Sequence, residues 1–207
     1  MLHYASRQTV SFALHAVAET LQISKDDVAG RYDDIERELL KRFYEFARDR
    51  RETYWVHWNM RSITYGFEHL EHRYRVLNKT EPPSIPVEVR LNLNDMLKQR
   101  CGNDYAPDPK MYNLVKLNGE GIQGLLTGAE ESEAFKQHDF IRMNASAIAK
   151  VSFFQHVIEA VLQGKLKTAG KGILVSIDRL LESRIARAIA FFSAVIGIIA
   201  AIIGFAR

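Results

Sequence analysis

The chain has 207 residues, 47% of them apolar and 26% charged, with a formal charge of +3. That length fits one globular domain with an appendage rather than two large domains, and the composition excludes both a disordered chain and a polytopic membrane protein. One cysteine, Cys101, excludes an internal disulfide framework and a cysteine-based zinc site, and suits a reducing compartment. The opening MLHYASRQ lacks the basic-then-apolar pattern of a secretory leader, so most of the chain is expected to stay cytosolic.

Taken in chain order, the periodicity is helical nearly everywhere and predicts an all-α domain over residues 1–163. Val10, Leu14, Val17 and Leu21 mark a first helix. SKDD, Ser24 to Asp27, offers a cap and acids for a second, which runs to about Arg50 on Val28, Tyr32, Ile35, Leu39, Phe43 and Phe46. A third is expected from about Trp58 to Leu77, followed by a proline-rich connector, Asn78 to Pro86. Strand-like alternation is confined to short pieces such as Ile85 to Leu93. Shorter helices are predicted over Asn94 to Arg100 and over Pro109 to Leu117, the latter with Asp108 as cap and Gly119 as stop. LNGEGIQGLLTG has no lysine where a phosphate-binding loop needs one, so its glycines read as helix stops. A long helix should cover Ile141 to Leu162, ended by Gly164.

The densest unusual stretch is YWVHWNMRSITYGFEHLEHRYRVL, Tyr54 to Leu77. Read as one helix, it carries a core stripe (Met60, Ile63, Phe67, Leu70, Tyr74, Leu77) and, opposite, a second stripe (Trp58, Arg61, Tyr65, Glu68, His72). Two readings of the second stripe stay open. In one it is a buried polar network in which Glu68 and His72 pair across one turn. In the other it lines a pocket where Arg61 and His72 meet an anion such as a nucleotide phosphate, and Trp58 or Tyr65 stacks on a base. His69 and His72 alone do not make a metal site, and Arg73 and Arg75 beside them disfavour a cation, so no metal or cofactor is expected. RETYWVH, Arg51 to His57, is similar to the Arg and His spacing of the HEPN family of all-α ribonucleases. That resemblance implies RNA cleavage at a dimer interface, with Arg51 and His57 as the catalytic pair.

Residues Gly164 to Arg187 carry six bases and two acids, and with Arg207 they hold more than the whole positive charge, leaving residues 1–163 at −2. A duplex-binding surface is therefore not expected. The basic excess instead borders a stretch of nineteen uncharged residues, Ala188 to Ala206, ten of them Ile, Phe or Val. As a helix it would span about 28 Å, close to the roughly 30 Å core of a bilayer. The charge asymmetry places residues 1–163 on the cytoplasmic side. Residues 164–172 read as a flexible basic hinge and residues 173–207 as a juxtamembrane and transmembrane helix. Ala190, Ser193, Ala194, Gly197, Ala200, Ala201 and Gly204 fall within an arc of about 120°, a small-residue face suited to close helix packing or to lining a pore.

A helical cytosolic domain joined by a basic hinge to one small-striped membrane helix, Gly164 to Arg207, resembles the compact membrane effectors of bacterial anti-phage systems that respond to nucleotide or oligonucleotide signals, of which the Hailong effector is one type. The resemblance is architectural. It implies a homo-oligomer in the bacterial inner membrane, single-pass, whose helices open a pore or disrupt the bilayer under control of a nucleotide or oligonucleotide ligand. Three function classes stay open: this effector, favoured over an enzyme, a membrane-tethered HEPN-like ribonuclease, and a passive tail-anchored scaffold.

Overall fold

The helical periodicity resolves into seven α-helices among the described residues, which are 1–62, 65–119 and 122–169 of the computed structural model. They are α1 (Leu14–Thr20), α2 (Tyr32–Arg48), α3 (Phe67–Asn78), α4 (Leu93–Cys101), α5 (Lys110–Asn118), α6 (Gly128–Lys136) and α7 (Phe140–Leu162). Four short strands interrupt them: β1 (Trp55–His57), β2 (Arg61–Ser62), β3 (Tyr65–Gly66) and β4 (Arg90–Asn92). β1 pairs parallel with β4, and β2 pairs antiparallel with β3. The chain is therefore mostly helical rather than all-α.

Packing follows from the apolar faces. α2 packs on α1 and α3, and α7 packs on α6 and α1. Val17, Ala18, Val28, Ile35 and Phe140 close the first core, while Leu40, Tyr44 and Leu77 join α2 to α3. The largest core gathers Leu93, Leu97, Tyr105, Leu114, Val115, Phe153 and Val157 from α4, α5, α7 and the loop between α4 and α5. Each of its larger side chains contributes about 1.5–3 kcal/mol by burial. By length and composition α7 could cross a membrane. Here it places Phe153 and Val157 in this core and Phe140 in the first, and also buries Ser146, Ala149 and Ala160, with Lys150 and Glu159 engaged by polar partners. The expected membrane segment, Ala188 to Ala206, and its small-residue face lie outside the described residues.

Two expectations are corrected. The helix expected from Trp58 begins only at Phe67, because the chain before it is not helical: Asn59 takes a left-handed φ of 55°, and Gly66 is extended, at φ 157° and ψ −164°, in β3. A Cβ on Gly66 would stand 2.7 Å from the Met60 carbonyl carbon, so the backbones of Met60, Arg61 and Gly66 meet where only glycine fits. The core stripe survives from Phe67 onward, but Trp58, Arg61 and Tyr65 do not share a helix face with Glu68 and His72. Second, Thr127 and Gly128 do not sit at a helix stop. Thr127 caps α6, its hydroxyl accepting from the Glu130 N–H while the Glu130 carboxylate accepts from the Thr127 N–H. Beyond these corrections, the first residues of the expected hinge make contacts with the domain. Lys165 and Leu166 N–H groups both donate to the Ala160 carbonyl, and Leu166 packs on the largest core.

Candidate functional site

The parallel register of β1 and β4 sets His57 beside Asn92. The residues that follow each strand, Trp58 to Arg61 and Leu93 to Asp95, are thereby brought together although they lie more than thirty positions apart. They interlock through amides. The Asn59 N–H donates to Asn92 Oδ1 (3.1 Å), and Asn59 Oδ1 accepts from both Asn92 Nδ2 (3.2 Å) and Asn94 Nδ2 (2.9 Å). Asn92 Oδ1 also caps α4 by accepting from the Asn94 N–H. Asn92 Nδ2 donates to Asp95, and Asp95 holds the Arg61 guanidinium in a two-pronged pair. At the bottom, the fully buried Tyr105 donates its hydroxyl to Asn94 Oδ1 at 2.5 Å. Burial raises the Tyr105 pKa, so the phenol stays a donor.

Above this network opens a cleft of about 510 Å³, within the range of small-molecule sites. It is lined by Trp58 and Asn59, by Asn94 and Lys98 of α4, by Asp108 to Tyr112 at the start of α5, by Leu125 to Gly128 and Glu131, and by Lys150 of α7. Trp58 stacks one face on Phe154, at 5.8 Å between centroids and 18° between planes, and the Lys116 ammonium covers Tyr112 at 4.6 Å. Both rings are thus fixed while lining the cleft.

Three ammonium groups line the cleft, and each can donate three hydrogen bonds. Lys110 uses two of its donors on the carbonyls of Asn103 (2.7 Å) and Ala106 (3.0 Å). Lys150 pairs with Glu131, whose same oxygen accepts from the buried Ser146 hydroxyl. Lys98 stands 3.9 Å from Asp95. The three lysines retain donors beyond these partners, and Lys150 neutralises one of the two cleft carboxylates, Glu131. The arrangement suits an anion joined to a flat ring.

Of the candidate site residues read from the sequence, Trp58 alone among the described ones lines this cleft. Arg61 is turned to Asp95, Glu68 pairs with Arg90, and His72 is exposed on α3. Arg51 is exposed, whereas His57 is 7% exposed, with its ring edge-on to Phe67 and its Nδ1 accepting from the Met60 N–H (3.2 Å). Lys98, Lys110, Tyr112 and Lys150 are not legible in the sequence, because they lie on three separate helices, α4, α5 and α7, and show no common spacing. The Thr127 to Glu130 capping pattern was the one local signal available for this side of the cleft. No group of three or more His, Cys, Asp or Glu side chains among the described residues could hold a metal ion. In comparisons with protein families, curated proteins and solved structures, nothing matches the chain.

Proposed function

We propose that this protein is a homo-oligomeric, membrane-anchored effector, in which the helical domain binds a nucleotide-type anion and so controls a pore-forming or membrane-disrupting segment, Ala188 to Ala206, in anti-phage defence. The observation that carries the reading is the cleft itself: fixed Trp58 and Tyr112 rings beside the ammonium groups of Lys98, Lys110 and Lys150. Ring contact is sequence-tolerant and ammonium groups are point-charge phosphate partners, so the two together fit a base joined to phosphate. Support for the membrane half comes from the amino-acid pattern, nineteen uncharged residues behind a basic border. The buried, internally bonded His57 gives the ribonuclease reading no comparable support.

The full chain, reconstituted in anionic lipid vesicles loaded with a self-quenching dye, tests this with ATP as the probe and adenosine and triphosphate as its separate halves. Saturable calorimetric binding of ATP, tighter than either half, is expected together with a change in dye release. Lys98→Ala should weaken ATP binding about ten-fold, the equivalent of roughly 1.4 kcal/mol. Its urea midpoint should barely move. Dye release indifferent to ATP and to Lys98 would leave a passive scaffold, and RNA cleavage dependent on His57 would restore the nuclease.

A further inference from the structure

Two residues that line the cleft also grip the loop between α4 and α5, and that loop holds the chain on its way out of the domain. From one side, Asn94 accepts the Tyr105 hydroxyl. From the other, Lys110 brackets Tyr105 by donating to the carbonyls of Asn103 and Ala106, and its ammonium lies 5.1 Å from the centre of the Tyr105 ring. The carbonyl of the same Tyr105 accepts the Ala169 N–H at 2.8 Å. Two positions earlier, Asn118 at the end of α5 clamps Lys167 as a strand neighbour would. Its Nδ2 donates to the Lys167 carbonyl and its Oδ1 accepts the Lys167 N–H, both at 2.7 Å. With Leu166 seated on the core, residues 165–169 form a strap fastened at three points.

We infer that this strap is a latch released from the cleft, so that ligand occupancy is transmitted through Lys110 and Tyr105 to the segment leading toward the membrane. The inference rests on the reading of the cleft as an anion site. A phosphate oxygen that takes the remaining donor of Lys110 draws the ammonium toward the cleft and away from the Asn103 and Ala106 carbonyls, because a charged acceptor is the stronger partner. Once those carbonyls are let go, the loop that presents the Tyr105 carbonyl to Ala169 loses half its support. The strap then opens at its last fastening first, while the α7 core stays closed, because local opening follows the weakest contiguous set of bonds.

Amide hydrogen exchange on the full chain in lipid nanodiscs tests the latch. In the absence of any ligand, Lys110→Met and, separately, Tyr105→Phe should each speed exchange of the Ala169 and Lys167 amides by about ten-fold or more, with Phe153 and Val157 amides unchanged. In the wild type, ATP should produce the same local acceleration. Unchanged strap amides in Lys110→Met overturn the latch, whether or not ATP binds. If Tyr105→Phe disturbs the core amides as well, Lys110→Met, which alters a less buried side chain, decides the matter. ATP that binds calorimetrically without touching the strap amides also overturns the latch but leaves the cleft reading standing. Failure of ATP to bind strikes the cleft reading, and the Lys110→Met exchange then judges the coupling alone.

Discussion

α3 and the cleft between α4, α6 and α7 both concentrate polar side chains, yet they differ in what those side chains have left to give. On α3 and its partners the charges are matched to one another. Arg73 reaches Glu36 and Asp33, Arg75 reaches Glu81, and Arg90 spans Glu68, Glu71 and the Ile85 carbonyl while covering the Phe67 ring at 4.5 Å. In the cleft, by contrast, amide groups are matched below and ammonium groups keep spare donors above, beside open volume. A crowd of chemically capable residues is therefore not itself a site. A site needs unmatched capacity held rigid by matched neighbours.

The sharpest way to break this contrast is at Arg90. Its side chain is only 10% exposed, and removing it leaves the half-exposed Glu68 to water and the more buried Glu71 with only the 4.0 Å contact to Arg75. Arg90→Met should cost about 1–3 kcal/mol, the penalty for leaving charged hydrogen-bond partners unsatisfied at a partly exposed site. Urea denaturation of the full chain measures it. Lys98→Ala, in the cleft, should leave the same denaturation curve nearly in place. A loss below about 1 kcal/mol for Arg90→Met would mean that water already screens the α3 cluster, and it would then be as open to a ligand as the cleft.

The contrast also explains what could be read from the amino-acid order. Helices whose apolar rows are local, such as α2 with Ile35 and Leu39 or α7 with Phe153 and Val157, are legible because every signal lies within a few turns. The segment before α3 misleads because Met60 and Ile63 happen to continue the rhythm of Phe67, Leu70 and Tyr74. What defeats the helix there is a contact between the backbones of Gly66 and Met60, which no helical periodicity records. The cleft was less legible still. Asn59, Asn92 and Asn94 look like ordinary loop and cap residues, and they become one network only when β1 and β4 align. Trp58 is legible because it stands three positions before Arg61 in an aromatic-rich stretch; the cleft lysines are not, since an isolated lysine on a helix reads as solvated surface.

Arg61 sharpens the comparison at a smaller scale, because it sits at the border of the two regions. Its guanidinium pairs with Asp95, yet its side chain is 59% exposed. Arg61→Ala should therefore cost no more than about 1 kcal/mol in urea, as exposed pairs do. Calorimetry should find ATP affinity within a factor of about two of wild type. A ten-fold weakening of ATP binding at unchanged stability would extend the ligand site out of the cleft to Arg61, joining the border to the site rather than to its support.

The smallest expected effect lies at His57, which separates the two regions from within. Burial first, and then the positive charges of Arg61 and Arg90, lower its pKa from the ordinary 6.5, outweighing the opposing influence of Asp95 and Glu68. The folded state thus binds fewer protons at this ring than the unfolded chain does, so stability rises with pH through this window. It is lost as pH falls from about 6.5 through the lower folded-state value, where a charged ring would also forfeit its acceptor role toward the Met60 N–H. His57→Gln keeps an acceptor within reach of that N–H and cannot titrate. Between about pH 7 and pH 5, the variant's urea stability should fall less steeply than the wild type's, the difference in slope being the ring's own contribution. Parallel slopes would mean that the imidazole titrates as it does in water. It would then be free to act as an acid or base, and β1 would belong with the reactive side of the molecule rather than with the matched and silent one.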